Sequence, residues 1–116
     1  MGRIIHVEIT ADDVDRATKF YATVFGWQPD QSPFVDGYAM AGTGEGQGID
    51  AAIMRREYQS QPAIAWLDVD DIEAALESVL ASGGEAAGDI QTIPGQGRVG
   101  YVRDTEGNLL GLRQPE

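Results

Sequence analysis

The two halves of the chain resemble each other. Residues of the first half recur in the second half at a constant spacing of 58 positions, which links acidic, apolar and glycine positions alike. Because one small four-stranded sheet cannot bury both of its faces alone, this repeat predicts two similar modules that pair. The matched pairs include Asp12 with Asp70, Val14 with Ile72, Ala17 with Ala75, and Gly26 with Gly84.

Each half predicts one strand, one helix and three further strands. The first helix should be capped by Thr10 or Asp12 and should end at Gly26, because glycine accepts the left-handed backbone that follows many helices. The second should begin at Asp70 and Asp71, and both helices carry apolar residues three and four positions apart. Strands are predicted at 4–10, 27–29, 34–41, 49–55, 63–69, 85–92, 98–103 and 108–113, with a loop at 30–33.

The first predicted strand has two chemically different faces. Successive side chains of a strand point to opposite sides, so alternating residues separate a packing face from a polar one. The polar face carries His6, the only histidine of the chain. The apolar face consists of Ile5, Val7 and Ile9, and the polar face consists of His6, Glu8 and Thr10.

Composition excludes several classes of protein. The formal net charge is -11, which repels phosphate backbones, so we expect no binding to nucleic acid. The charge fits a solubility-tuned surface or a salt-adapted host. There is no cysteine, and no apolar run approaches the roughly 20 residues that span a bilayer. Since the first residues also lack the pattern of a signal peptide, we predict a cytoplasmic protein without membrane contact.

Three segments of the sequence carry a family resemblance. They are the opening Ile5-His6-Val7-Glu8-Ile9, the helix end Phe20-Tyr21…Phe25-Gly26-Trp27, and the closing Asp104-Thr105-Glu106-Gly107-Asn108 with the strand after it. Together they resemble the vicinal oxygen chelate superfamily, which holds glyoxalase I, bleomycin resistance proteins, extradiol dioxygenases and methylmalonyl-CoA epimerase. Within it, the chain resembles a small bacterial group related to lactoylglutathione lyase.

This resemblance implies an α+β fold. Two βαβββ modules, at about 1–57 and 62–116, would form a single domain over 1–116. Their strands would build a cupped, eight-stranded mixed sheet around a cavity, with the helices outside. The family also implies a homodimer.

The resemblance implies four metal-ligand positions, and three of them hold residues that cannot bind a metal. The positions fall on His6, Ala52, Ile64 and Gly111. A divalent ion usually takes three or more nitrogen or oxygen donors from protein. We therefore predict no metal site and no cofactor, with a non-standard site of His6, Glu8 and Asp50 as an alternative.

Without a metal, the polar face of the first strand, which the resemblance turns toward the cavity, is predicted to bind a small molecule. Trp66 could be an aromatic wall or ordinary core packing, and Arg113 could bind a ligand or form an ion pair with Glu8. Tyr38 and Tyr101 occupy similar places in the two modules, and the sequence does not decide which face of its strand each occupies. The predicted ligand-binding residues are Trp66, Arg113, Tyr38, Tyr101, Asp50 and Met54, beside the candidate catalytic pair His6 and Glu8.

Three functions follow from these residues and from the resemblance. The first is a metal-independent small-molecule-binding protein of the glyoxalase/bleomycin resistance type, which could sequester a toxic compound. The second is a lyase or isomerase that uses His6 as general acid or base, with Glu8 orienting it. The third is a metal-dependent enzyme with the non-standard site.

Overall fold

The order of elements is strand, helix and three strands, and it occurs twice. The computed structural model describes residues 2–116. This order confirms the predicted α+β class and the βαβββ repeat. The elements are β1 (Ile4–Ala11), α1 (Val14–Phe25), β2 (Gln28–Gln31), β3 (Tyr38–Gly42), β4 (Asp50–Arg55), β5 (Ala63–Asp68), α2 (Ile72–Ala81), β6 (Glu85–Ile93), β7 (Gly97–Arg103) and β8 (Leu109–Gln114).

The chain divides into two compact units. The N-terminal unit is residues 6–64, and the C-terminal unit is residues 65–116 together with residues 2–5. The first residues belong to the C-terminal unit because Gly2 N donates to Asp68 O at 2.7 Å and Asp68 N donates to Arg3 O at 3.0 Å. The sequence-based modules, 1–57 and 62–116, differ from these units at the start of the chain.

The sheet of the N-terminal unit has the strand order β2-β3-β4-β1, with β1 parallel to β4 and the other neighbours antiparallel. Its register places Ile9 beside Ile53 and Glu8 beside Ala52. Ile9 and Ala11 line a cleft with residues of α1, so their side of the sheet is called the helix face. The opposite side, which carries His6 and Glu8, is called the polar face.

Helix α1 is capped one residue later than predicted. Asp13 is the N-cap, and its Oδ1 accepts from Arg16 N at 3.0 Å. The prediction of Thr10 or Asp12 is wrong because β1 continues to Ala11, which still pairs with β4. The predicted end is confirmed, since Gly26 has a φ of 74°. Neither helix within residues 2–116 is long and apolar enough to cross a membrane.

The region before β3 is a turn where the sequence predicted the start of a strand at 34–41. Ser32 Oγ accepts from Phe34 N at 3.1 Å and from Val35 N at 3.2 Å, which folds the backbone locally. Gly37 then has a φ of 67°, a conformation outside any strand. Strand β2 extends to Gln31, so the loop predicted at 30–33 is also shorter than expected.

The C-terminal unit repeats this architecture with the order β5-β8-β7-β6, in which β5 is parallel to β8. Its core lies between the sheet and α2. Ile72 of α2 is 1% exposed and packs with Val69, Val102 and Leu112. Burial of such side chains contributes roughly 1.5–3 kcal/mol each, so this cluster holds α2 on the sheet.

The closing Asp104-Thr105-Glu106-Gly107-Asn108 segment is a structural turn. The Asp104 carboxylate accepts from Asn108 N at 2.9 Å, from Asn108 Nδ2 at 3.1 Å and from Glu106 N at 2.8 Å. These hydrogen bonds, led by the one from the Asn108 backbone, hold the pKa of Asp104 below its ordinary value. The turn joins β7 to β8 and thereby fixes the register of the last strand.

Candidate functional site

The polar face of the N-terminal unit collects most of the predicted site residues of that unit. Strand pairing places His6 beside Asp50 and Thr10 beside Met54, and Tyr38 of β3 lies on the other side of Met54. Neighbouring residues in a sheet share a face, so all five side chains are on one side. This register removes the uncertainty about Tyr38 and about β4.

Glu8 is the buried acid of this face. It is 2% exposed, and its Oε2 accepts a hydrogen bond of 2.7 Å from the phenol of Tyr38. A carboxylate removed from water is costly unless it is hydrogen-bonded, so the phenol both stabilises Glu8 and fixes the direction of its carboxylate. Tyr38 thus orients Glu8 by a hydrogen bond, and this partnership could not be predicted from the sequence.

Asp50 and Met54 have different surroundings on this face: Asp50 is exposed and Met54 is buried. Asp50 Oδ1 accepts from Thr43 N at 3.1 Å, which closes the hairpin between β3 and β4. Met54 is 2% exposed. Thr10 Oγ1 donates to Gln61 O at 3.0 Å and accepts from Arg56 Nε at 3.1 Å. Asp50 and Thr10 thus have hydrogen-bond partners within the unit, and the ligand-binding role of Asp50 and Met54 stays a prediction.

Two aromatic rings meet over a glycine in the C-terminal unit. Trp66 of β5 and Tyr101 of β7 both pair with Gly111 of β8. The two ring centroids are 5.1 Å apart, with an edge-to-face angle of 62°. A Cβ placed on Gly111 would overlap the six-membered ring of Trp66, so only glycine leaves room for the indole. The indole therefore occupies the space of a side chain at position 111.

The indole N–H of Trp66 lacks an acceptor. Trp66 is 8% exposed, and its Nε1 is buried without a hydrogen-bond partner among residues 2–116. A buried donor that makes no hydrogen bond costs about 1–3 kcal/mol, and native structures contain few of them. Such a donor, held by a rigid ring, is suited to recognise an oxygen atom of a small molecule.

Arg113 forms an ion pair within the C-terminal unit. Its Nε and NH2 donate to the two carboxylate oxygens of Asp68 at 3.0 and 3.3 Å. Both side chains are about one-third exposed. Asp68 is the partner of Arg113 within this unit because it lies directly beside Arg113 in the β5–β8 register, and the suggested ion pair of Arg113 with Glu8 stays a prediction. Sequence reasoning missed Asp68 as the partner because that register was not known.

The family metal site does not fit the residues present. Of the four implied positions, only His6 has a donor side chain, and the space at Gly111 is taken by Trp66. No three His, Asp or Glu side chains in the described part of the chain are grouped to hold a metal ion. The alternative set of His6, Glu8 and Asp50 is thus not assembled as a metal-binding group.

The chain belongs to the glyoxalase/bleomycin resistance protein/dioxygenase superfamily, whose sequence profile matches residues 3–112. It is similar to a glyoxylase-like domain-containing protein of Didymella fabae, with 31% identity over 120 residues that cover 96% of this chain and 92% of the relative. It is also similar to a protein of Vibrio parahaemolyticus named probable lactoylglutathione lyase, with 27% identity over 126 residues that cover 97% of this chain and 91% of that protein.

A solved structure shares the fold of the whole chain. The crystal structure of methylmalonyl-CoA epimerase from Mycobacterium tuberculosis aligns with a TM-score of 0.70 and 17% identity, over 99% of this chain and 88% of that chain. At this identity the likeness concerns the fold alone. It agrees with the α+β architecture predicted from the repeat.

Replacement of Gly111 by alanine tests the packing of Trp66. The overlap with the indole should lower the free energy of unfolding by about 1–3 kcal/mol, the usual cost of overpacking. Gly42→Ala is the matched control, because a Cβ at Gly42 meets nothing within 4 Å. The measurement is urea unfolding, followed by fluorescence in a Trp27→Phe background where Trp66 is the only tryptophan. Equal stability of the two glycine variants would contradict the packing described.

Proposed function

We propose that this protein binds a small molecule without the help of a metal ion, and that the Trp66 indole N–H donates a hydrogen bond to it. The supporting observation is the buried, unpartnered Nε1 within the described residues. Ligand sites are mostly apolar, with a few polar groups that fix orientation. The Trp66 and Tyr101 rings provide the first feature, and the indole N–H provides the second.

The ligand that suits these groups has a flat or aromatic body and an oxygen acceptor. Edge-to-face ring contacts favour an aromatic partner by about 0.5–1.5 kcal/mol beyond area burial. Asp68 and Arg113 lie on the same face as Trp66, two residues further along β5 and β8. Because they neutralise each other, they favour an uncharged polar group of the ligand over a free anion.

Binding without turnover is the activity we favour, and the superfamily to which the chain belongs includes bleomycin resistance proteins. Such a protein would lower the free concentration of a toxic compound by sequestering it. The family resemblance supports a homodimer as the working form, and the composition of the sequence supports a place in the cytoplasm. Size-exclusion chromatography with light scattering tests the dimer directly.

Trp66→Phe is the variant that tests the proposed ligand contact. It keeps an aromatic ring and removes the N–H, so the loss should equal one hydrogen bond, about 1 kcal/mol, or about a fivefold weaker affinity. A library of small aromatic ketones and quinones would first be screened by thermal shift, since a ligand that binds only the folded state raises Tm. The affinity of each hit would then be measured by calorimetry.

Trp27→Phe is the control for this variant. Trp27 stacks on Tyr21 at a centroid distance of 4.6 Å, in the other unit of the chain. Its replacement should leave ligand affinity unchanged. Equal affinities in the two tryptophan variants, or no hit stabilising the protein, would refute the proposed site.

A second candidate is lyase or isomerase chemistry on the polar face of the N-terminal unit. The specific observation behind it is the buried Glu8 carboxylate held by Tyr38. In this scheme His6 takes a proton from a carbon next to a carbonyl group, and the electron pair moves to the carbonyl oxygen. Return of the proton to the same or a neighbouring carbon gives the isomer, with Glu8 orienting the imidazole.

Deuterium exchange tests proton transfer without knowledge of the product. In D₂O, a substrate from a panel of small carbonyl compounds would lose its C–H signal in proton NMR spectra. His6→Ala should slow this exchange at least about a hundredfold, the contribution typical of a general base. Glu57→Gln, which removes an exposed acid from the turn after β4, should exchange at the normal rate. Unchanged exchange in His6→Ala would exclude this chemistry.

A further inference from the structure

A cleft of about 420 Å³ opens on the helix face of the N-terminal unit. Its size falls in the range of about 300–1,000 Å³ typical of small-molecule sites. It lies where β1 ends and α1 begins. At this end of β1 the lining includes Ile9 and Ala11 of the helix face and Thr10 of the polar face. The residues that line it are Ile9, Thr10, Ala11, Asp12, Asp13, Arg16, Ala17, Phe20, Tyr21 and Arg56.

One part of this outer cleft is apolar. Ile9 and Ala11 come from β1, and Ala17 comes from the second turn of α1. The ring of Phe20 is 54% exposed at the cleft, although phenylalanine is among the residues most often buried. An exposed ring beside an apolar floor offers a surface on which a flat molecule can lie.

Arg56 is fully engaged within the cleft wall. Its Nε donates to Thr10 Oγ1 at 3.1 Å and its NH2 donates to Thr10 O at 3.0 Å. Its NH1 forms an ion pair of 3.1 Å with Asp12. The second acid of the lining, Asp13, caps α1. The positive charge of Arg56 is therefore neutralised by Asp12, and these hydrogen bonds fix the wall of the cleft.

Arg16 is the second arginine of the cleft, and unlike Arg56 it forms no ion pair within the described residues. Within residues 2–116, no carboxylate oxygen is within 4.0 Å of its guanidinium, whereas four other arginines form ion pairs. It precedes Phe20 by four positions, which places the two side chains on one face of α1. A planar guanidinium with free N–H groups next to an exposed ring matches a planar carboxylate attached to an aromatic ring.

We propose that this outer cleft is a second ligand site, which takes a small aromatic monocarboxylate. The carboxylate is bound by the Arg16 guanidinium, and the ring of the ligand packs on Phe20 over Ile9 and Ala11. A monoanion fits better than a dianion, because Asp12 and Asp13 are also in the lining and the whole chain carries a net charge of -11. Trp66 is not among the lining residues, so the proposal does not rest on the function proposed above.

Benzoate is the probe for this site, and its amine analogue benzylamine is the probe of opposite charge. In ¹H–¹⁵N spectra, benzoate should shift the backbone amides of Ala11, Asp12 and Ala17 in a saturable manner, with a dissociation constant on the order of 1 mM. Benzylamine should bind at least about tenfold more weakly, because it cannot pair with a guanidinium. Arg16→Gln should weaken benzoate binding about tenfold or more.

Lys19→Gln is the matched control, since it removes the same charge from the same helix outside the cleft. It should bind benzoate as the unchanged protein does, and thermal unfolding should show both variants to be folded. Equal binding of benzylamine, or equal effects of the two substitutions, would overturn the proposal. So would shifts confined to the Trp66 indole, or cleft shifts that follow protein concentration and not benzoate, which would indicate a contact between copies.

Discussion

The packing of the Trp66 indole over Gly111 is the contact on which the interpretation of this protein depends. Gly111 stands at one of the four positions where the family resemblance implies a metal ligand, and the indole fills the space that a ligand side chain would need. The same contact buries Nε1 away from any acceptor within the described residues. One contact thus fills the space beside position 111 and buries a hydrogen-bond donor.

The N-terminal unit uses the equivalent strands differently. There one face of β1 carries the polar residues His6, Glu8 and Thr10, and the buried Glu8 is stabilised by the phenol of Tyr38. Each unit therefore has a buried polar group whose direction is fixed by its neighbours, the Glu8 carboxylate in one unit and the Trp66 indole N–H in the other. Such directed groups suit recognition of a small molecule more than they suit coordination of an ion, which needs several converging donors.

The fold followed from the sequence because its signals are local and occur twice. The repeat, the helical spacing and the end of α1 at Gly26 agree with the structure. The cap at Asp13 could not be chosen among neighbouring polar residues, because that choice depends on how far β1 pairs with β4. The site residues were assigned to faces from strand alternation together with the ligand positions that the family resemblance implies, and their use as a site stays a prediction. Their partners, such as Asp68 for Arg113, depend on a register between strands distant in sequence, and no local pattern encodes it.

The indole N–H signal of Trp66 gives the most direct test of the small-molecule site. In the Trp27→Phe protein it is the only indole signal, so its proton shift and its exchange with water can be followed as an aromatic ketone from the screen is added. A donor that acquires an acceptor should shift downfield and exchange more slowly. A bound ketone that shifts backbone amides but leaves the indole proton unchanged would contradict the proposed role of Trp66.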